Sequence, residues 1–216
     1  ALSESLDGPW RRRDEPILGP DATSWDNLDV SNPAPIILHN GSVIMIYKGR
    51  GNNTPHGLLQ AMGLAFAPSV DGPYTRNNSG LTSAIGIPGE DAVGYVDPDT
   101  DIMHVLSHSG NGNFSAGGHS YSADGVHWME AHGFAFTGSV NWATQASTVL
   151  FRRERPQLLL DEPHGSSYGR PSVIFSSAQD CQPSVDAGSQ CRSYTILEEV
   201  DLRRSELASS VESMLL

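Results

Sequence analysis

Lysine, cysteine and long apolar runs are scarce in this chain of 216 residues, and each scarcity excludes a class of protein. Lys48 is the single lysine, and 13 basic against 25 acidic side chains give a net charge of −12, which disfavours nucleic acid and anionic lipid as partners. No apolar run approaches the roughly 20 residues of a membrane-spanning helix. The 22 glycines and 14 prolines are too many for a helical bundle, and 38% hydrophobic residues are too many for a disordered chain.

The two cysteines and four glycosylation sequons bear on the compartment. Cys181 and Cys191 flank a Ser/Gln/Asp/Gly-rich segment, so a disulfide would close a surface loop there; two free thiols are the alternative. The Asn-x-Ser/Thr acceptors are Asn40, Asn52, Asn77 and Asn113. Together these features predict a secreted, N-glycosylated eukaryotic protein. Because no signal peptide is visible at Ala1, the chain is expected to be mature or processed.

Apolar runs rich in β-branched residues, separated by turn residues, predict a protein built of β-hairpins. The clearest hairpin has Asn40-Gly41 at its tip, a dipeptide that supplies the positive φ angles of a two-residue turn. A second hairpin turns at 97–100, and a third turns within 162–170. The predicted strands are 35–39, 42–47, 92–96, 101–107, 148–151, 157–160, 171–175 and 193–197.

A corner motif recurs three times and indicates the architecture. An Asp-Gly turn followed by an aromatic residue occurs at Asp7-Gly8-Pro9-Trp10, at Asp71-Gly72-Pro73-Tyr74 and, more loosely, between Asp124 and Trp128. Such a turn leads into an outer strand, which the aromatic ring caps. One four-stranded sheet per roughly 50–65 residues is typical of a β-propeller blade. A β-sandwich with three similar turns is the alternative.

The length of the chain does not correspond to a whole number of complete blades. At this period 216 residues hold about three and a half to four blades, and the chain opens on the outer-strand motif of a blade whose inner strands are not present. Either the start of the domain is missing or another chain supplies those strands. The propeller domain is expected over residues 1–200, followed by a helical or disordered tail at 201–216.

Several short motifs follow one another along the chain. They are Asp7-Gly8-Pro9-Trp10, Ser31-Asn32-Pro33, Asn40-Gly41 with Tyr47-Lys48-Gly49, Glu90-Asp91, Gly117 to Ser122, Asp124-Gly125 and Glu154-Arg155-Pro156. Taken in this order, they resemble glycoside hydrolase family 43 and its relatives. The resemblance spans roughly residues 5–200. It implies an all-β, five-bladed β-propeller with four-stranded antiparallel blades, the first blade being incomplete in this chain. It also implies cleavage of arabinosyl, xylosyl or galactosyl linkages in plant- or algal-type polysaccharides.

The resemblance further implies three carboxyl groups at the narrow end of a central funnel. A base activates water, an acid protonates the leaving oxygen, and a third carboxyl raises the pKa of the acid, so that hydrolysis inverts the anomeric centre. Asp91 is similar to the third carboxyl, and Glu154, in a Glu-x-Pro motif, is similar to the acid. The base would precede Ala1, so this chain would lack it.

Residue chemistry alone leaves the roles of both carboxyl groups open. Asp91 precedes the apolar strand 92–96, where a buried acid is costly unless it is paired or functional; a solvated loop acid is the alternative. Strand alternation places Arg152 and Glu154 on one face. The guanidinium favours the charged carboxylate and opposes proton donation, so a structural ion pair is the alternative role for Glu154.

Polar side chains near the strand starts are the candidate sugar ligands. They are Asn32, Glu90, His119 and Arg155. His119 follows two glycines that permit close backbone approach, and a surface histidine is the alternative. Tryptophans could stack on sugars or pack between blades; the candidates are Trp25, Trp128 and Trp142. No residue pair has convincing metal-site spacing, so no cofactor is expected, although the resemblance is compatible with a central structural calcium ion.

Three functional hypotheses follow. The leading one is a secreted glycoside hydrolase that acts on an oligo- or polysaccharide, without nucleic acid or a membrane span. The second is an extracellular carbohydrate-binding or structural glycoprotein that keeps the scaffold but not the reaction. The third is assembly with a second polypeptide that completes the propeller, because an uncovered strand edge invites aggregation.

Overall fold

A computed structural model describes most of the chain, and all structural statements below refer to these residues. They are 2–3, 5, 7–52, 60–77, 89–108, 115–143, 146–161, 167–181 and 191–200. The described part contains strands and turns and no helix, as predicted for an all-β protein, and therefore no helix that could span a membrane. Asn113 and the tail at 201–216 lie outside it.

The described residues form thirteen strands, numbered β1 to β13 along the chain. They are β1 (Asp29–Ile37), β2 (Val43–Arg50), β3 (Ala61–Ala67), β4 (Thr75–Arg76), β5 (Glu90–Val96), β6 (Met103–His108), β7 (Gly117–Ser122), β8 (Met129–Glu130), β9 (Ser139–Val140), β10 (Thr148–Val149), β11 (Arg152–Leu160), β12 (Pro171–Gln179) and β13 (Ser193–Glu199).

These strands form three antiparallel sheets and one two-stranded pair. The first sheet has the order β1-β2-β3-β4, the second sheet β5-β6-β7-β8, and the last sheet β11-β12-β13, while β9 pairs with β10. Each sheet begins with its innermost strand, and β5 lies against both β1 and β11. Neighbouring sheets therefore meet along their inner strands, which is a propeller-like arrangement.

The turn chemistry explains where the hairpins form. The predicted first hairpin is β1–β2, with Gly41 at φ +81° and its N–H donating to the Leu38 carbonyl at 2.8 Å. The second hairpin is β5–β6, and the third joins β11 to β12. The repeated corners also form as predicted, because Gly72 (φ +83°) leads into the outer strand β4 and Gly125 (φ +74°) leads towards β8.

The main core lies between the first and second sheets. Its members come from facing strands, and Trp128 from the third corner closes it. They are Ala34, Ile36, Ile44, Ile46, Met62, Leu64, Ala92, Val96, Met103, Val105 and Trp128. Burial of these side chains between the two sheets removes their apolar surface from water, which stabilises the packing.

The first sheet is also covered on its opposite face. Trp25 stacks on Tyr47 with ring centroids 6.0 Å apart, and Met45 joins them in a second cluster. Residue 49 must be glycine for this contact, because a Cβ there would lie 2.5 Å from the Trp25 ring. The run at β2 is therefore almost continuously buried, since alternate side chains enter two different cores.

Within the described residues, a hydrophobic cluster covers one face of the last sheet. Its inward residues pack against the β9–β10 pair in a small cluster of Val140, Leu150, Ala178 and Ile196. Leu197 on β13 points the other way and is 64% exposed. The predicted disulfide between Cys181 and Cys191 is confirmed, and it joins the end of β12 to the start of β13 with the Cα atoms 5.3 Å apart.

Candidate functional site

The three inner strands share one backbone irregularity. The register of β1 shifts between Ser31 and Ala34, that of β5 between Glu90 and Val93, and that of β11 between Glu154 and Gln157. Within each shift, one non-glycine residue adopts a left-handed backbone. These residues are Asn32 (φ 50°), Asp91 (φ 54°) and Arg155 (φ 54°). Bulges of this type re-aim a side chain away from the regular ladder.

The three re-aimed residues converge on a single cavity of about 410 Å³. Its lining residues are Asn32, Pro33, Asp91, Ala92, Arg155, Gln157, Phe175, Ser176, Ser177 and Thr195. The volume falls within the range of about 300–1,000 Å³ that is usual for small-molecule sites. The structure thus brings Asn32, Asp91 and Arg155 together around one cavity, while the roles expected for them from the sequence stay predictions.

Asp91 is the buried carboxyl of the cavity, with 8% of the residue exposed. The Asn32 side-chain amide donates a hydrogen bond to Asp91 Oδ1, and Arg155 Nη1 lies 3.7 Å from the same oxygen. Burial raises the pKa of Asp91; the Arg155 charge opposes that rise and the Glu90 charge adds to it. Asp91 is thus a carboxyl whose protonated form is favoured relative to a solvated aspartate.

Glu90 lies behind the cavity, between the first and second sheets. Lys48 Nζ donates to Glu90 Oε2 at 2.8 Å, and His108 Nδ1 lies 3.7 Å from Oε1. Burial pushes the pKa of Glu90 up, but the hydrogen bond and charge of Lys48, with a further hydrogen bond from Gln60, hold it below its ordinary value. Glu90 therefore stays charged, and it is not among the described residues that line the cavity.

Among the described residues, Glu90, Asp91 and His108 form a group that could hold a cation. They offer ligand atoms that lie within 4.8 Å of one another. Calcium takes about six to eight oxygen ligands. This set supplies two carboxylates and an imidazole, and the Lys48 ammonium already neutralises Glu90 at 2.8 Å. The residues present therefore fit calcium poorly.

Glu154 does not line the cavity, although it directly precedes Arg155. Its carboxylate Oε2 lies 3.1 Å from Arg152 Nε, and 21% of its side chain is exposed. The predicted placement of Arg152 and Glu154 on one face is confirmed by this ion pair. Glu154 is still close enough to Asp91 to affect its charge state, because the Glu154 charge contributes to the raised pKa of Asp91 after burial, Arg155, Glu90 and Lys48.

His119 lies on β7, two strands away from the cavity. Its Nε2 is 3.0 Å from His104 Nδ1, and Tyr95 stacks on the other side of His104 with centroids 5.0 Å apart. Burial, with a smaller contribution from the His119 charge, lowers the pKa of His104 to about 4, and burial also lowers the pKa of His119. The candidate sugar ligand His119 is therefore part of a packed ring stack and is not a lining residue.

Three tryptophans pack within the protein, and the sequon asparagines differ in exposure. Trp25 and Trp128 are buried packing residues, not sugar platforms, and Trp142 packs on Tyr194 with centroids 6.5 Å apart. Asn40 and Asn52 are exposed, whereas Asn77 is half-buried and its N–H donates to the Leu64 carbonyl at 2.9 Å.

Apart from Arg155, the residues that the last sheet contributes to the cavity were not predicted from the sequence. Gln157 pairs in register with Phe175, and Ser177 pairs with Thr195, so their side chains approach the cavity from β11, β12 and β13. The available signal was the alternation of side chains along the predicted strands 171–175 and 193–197. Alternation shows which residues of the two strands share a face only once the register between the strands is known.

Solved structures share this architecture. No sequence profile of a protein family matches the chain, and no curated protein matches it by sequence. A family 117 glycoside hydrolase from the marine bacterium Zobellia galactanivorans is similar, with a TM-score of 0.57 and 19% identity over 90% of this chain and 48% of its own. A candidate glycoside hydrolase from Bacteroides ovatus has a TM-score of 0.56, with 18% identity over 79% of this chain and 53% of its own.

A candidate glycosidase from Bacteroides thetaiotaomicron has a TM-score of 0.55, with 16% identity over 93% of this chain and 63% of its own. This chain thus spans about half to two thirds of the length of these three structures. The likeness establishes that the chain has the propeller-like fold of glycoside hydrolase-like proteins.

Proposed function

We propose that this chain is a glycoside hydrolase-type protein whose cavity at the three bulges binds a sugar unit of an oligo- or polysaccharide. The observation that carries the proposal is the convergence of Asn32, Asp91 and Arg155 on that cavity. A buried carboxyl, an amide and a guanidinium are the groups that hold sugar hydroxyls in place. Phe175 adds an apolar surface of the kind that packs on the C–H face of a pyranose.

The proposed reaction is inverting hydrolysis of a glycosidic bond. A water attacks the anomeric carbon, its proton passes to a base, and the leaving oxygen receives a proton from the acid as the glycosidic bond breaks. Glu154 is the proposed proton donor, which requires its ion pair with Arg152 to open, and Asp91 is the proposed modulator of its pKa. Asp91 is the one carboxyl among the described residues that line the cavity, so the proposed base is a residue outside this lining.

The finer features of the proposal rest on the sequence motifs. They are a relationship to family 43, a five-bladed ring, secretion, and N-glycosylation at Asn40, Asn52, Asn77 and Asn113. The three sheets of the described residues would be joined by further blades, from the same or from a second polypeptide, to complete the ring. The confirmed disulfide supports an oxidising compartment.

A second candidate is carbohydrate binding without turnover. The Arg152–Glu154 ion pair at 3.1 Å favours it, because a carboxylate held by a guanidinium is a poor proton donor.

Two measurements on arabino-, xylo- and galacto-oligosaccharides test the proposal. One is the rate of sugar release, and the other is the binding affinity determined by calorimetry. We expect Glu154→Gln to lower the rate by about 10²–10⁴-fold, the usual contribution of a general acid, while binding is kept. Asp91→Asn should weaken both. Asp180→Asn, at a surface ion pair beside β12, is the control and should change neither.

The outcomes separate the candidates. Turnover that Glu154→Gln removes would support the hydrolase, whereas binding without turnover would assign carbohydrate binding to this chain and leave hydrolysis to an assembly that supplies the base. Neither binding nor turnover of any of these oligosaccharides would contradict the proposal.

A further inference from the structure

The cavity contains one cationic side chain whose charge is only loosely neutralised. Among the described lining residues, Asp91 and Arg155 carry charge, and they lie 3.7 Å apart. The Asp91 oxygen nearest to Arg155 already accepts a hydrogen bond from Asn32, and the Asp91 side chain is 7% exposed. The Arg155 side chain, in contrast, is 63% exposed.

The neighbouring arginines show what a fully engaged guanidinium looks like in this strand. Arg153 is 1% exposed, donates to Ser176 Oγ at 3.2 Å and to the Thr137 carbonyl at 3.0 Å, and pairs with Glu198 at 2.8 Å. Arg152 is engaged by Glu154. Arg155 departs from both because the bulge at φ 54° turns it into the cavity.

Arg155 gives the cavity a surplus of hydrogen-bond donors. It can only donate, with five N–H groups in a planar fork, whereas the hydroxyls of Ser177 and Thr195 can donate or accept. A neutral sugar offers hydroxyls that need both donors and acceptors. A carboxylate offers acceptors alone, and its two oxygens match the guanidinium fork in a bidentate pair.

We propose that the sugar unit bound in this cavity is acidic, a uronic acid whose carboxylate pairs with Arg155. This inference rests on the proposed function, and it specifies the substrate class of the same site. Asp91 and Asn32 would then hold the hydroxyls of the sugar on the opposite side of the cavity. The net charge of −12 opposes the approach of an anion, but this long-range repulsion is screened within about 8 Å at physiological ionic strength.

Oligogalacturonates and their methyl esters form a matched pair of probes, because they differ only in the carboxylate. Calorimetry on the full chain should show the acid form binding at least about tenfold more tightly than the ester, the scale of one charge-assisted hydrogen-bonded pair. The preference should fall as salt is raised.

Variants at residue 155 assign the preference to the guanidinium. Arg155→Gln should abolish it, and Arg155→Lys, which keeps the charge but loses the fork, should retain part of it. Arg170→Gln, at an exposed arginine that pairs with Asp99, is the control and should keep the full preference. Thermal unfolding of each variant verifies that it is folded, and the comparison of the two probes needs no variant at all.

Equal affinity for acid and ester, or a preference that survives Arg155→Gln, overturns the inference. If neutral oligosaccharides still bind in that case, the proposed function stands alone. Absence of binding to every saccharide overturns both. Tighter binding of sulfated than of carboxylated oligosaccharides of equal length overturns the assignment to a carboxylate.

Discussion

The first sheet and the last sheet are built from the same kind of hairpin, yet they are stabilised differently. In the first sheet, Ile46 enters one core and Tyr47 enters the other, so both faces are buried. In the last sheet, Ile196 is buried while Leu197 beside it is 64% exposed, and a disulfide ties β12 to β13. The difference teaches that burial stabilises the first sheet, whereas covalent and ionic ties supplement a one-sided core in the last.

The cavity lies partly on the less covered face of the last sheet, the face that carries Leu197. Phe175, which lines it, pairs in register with Leu197 and shares its face. The first and second sheets supply Asn32 and Asp91, and the last sheet supplies Arg155. The fixed carboxyl and the exposed cation of the site therefore come from regions that differ in packing.

The largest expected effect on stability comes from a buried side chain of the first sheet, compared with an exposed side chain of the last sheet. Ile46→Ala should lower the free energy of unfolding by about 2–5 kcal/mol, because the side chain is fully buried, whereas Leu197→Ala should change it by no more than about 0.5 kcal/mol. Denaturant unfolding measures both. A loss at Leu197 as large as that at Ile46 would show that another surface covers the last sheet.

Removal of the disulfide is expected to have the next largest effect. Replacing Cys181 and Cys191 by serine should cost about 2–3 kcal/mol, since the bridge closes a short loop with a sequence separation of 10. Hydrogen exchange should show the loss in β12 and β13 and leave β2 protected. Equal loss in β2 would contradict the separate stabilisation of the two sheets.

Acid should loosen the second sheet before the last one. The pKa of His104 is lowered by burial and by the His119 charge to about 4, so the unfolded chain, with a pKa near 6.5, binds more protons between these values. Stability is therefore complete above about pH 6.5 and is lost progressively as pH falls towards 4, by about 1–2 kcal/mol after allowing for partial exposure.

Denaturant midpoints across this window, with hydrogen exchange of β6 and β7, measure the effect. His104→Gln should flatten the dependence on pH, while His132→Gln, at an exposed histidine, should not. A profile that His104→Gln leaves unchanged would place the acid sensitivity elsewhere.

The smallest expected effect is at a surface ion pair of the last sheet. Asp180 pairs with Arg192 at 2.7 Å, and hydrogen bonds from Arg192 lower the pKa of Asp180. Because Arg192 is largely exposed, Asp180→Ala should lower the free energy of unfolding by less than removal of the disulfide does. Thermal unfolding in low and high salt measures it, and a cost that exceeds that of removing the disulfide would reverse the ranking of these ties.

Local chemistry made the hairpins and corners predictable. Asn40-Gly41 specifies the β1–β2 turn, and the Asp-Gly corners at 71–72 and 124–125 lead towards β4 and β8 as expected. The disulfide followed from two cysteines around a polar segment. Each of these features depends on residues close together in the sequence.

Features that depend on distant pairing could not be predicted in the same way. Alternation put Arg152 and Glu154 on one face, but it could not show that Arg153 lies under Phe136, with its guanidinium 4.6 Å from the ring centroid. Nor could it show that the ring of His119 meets His104, because that contact is set by the β6–β7 register.

The left-handed backbone at the three bulges also sets up a trade between stability and activity. Asparagine and aspartate tolerate this conformation better than most residues do, and they occupy it at Asn32 and Asp91, whereas Arg155 is a costlier occupant. An Arg155→Asn protein should therefore be more resistant to unfolding yet less able to discriminate its ligand. Selection that keeps arginine at this position would be acting on ligand recognition, at the cost of a strained backbone conformation.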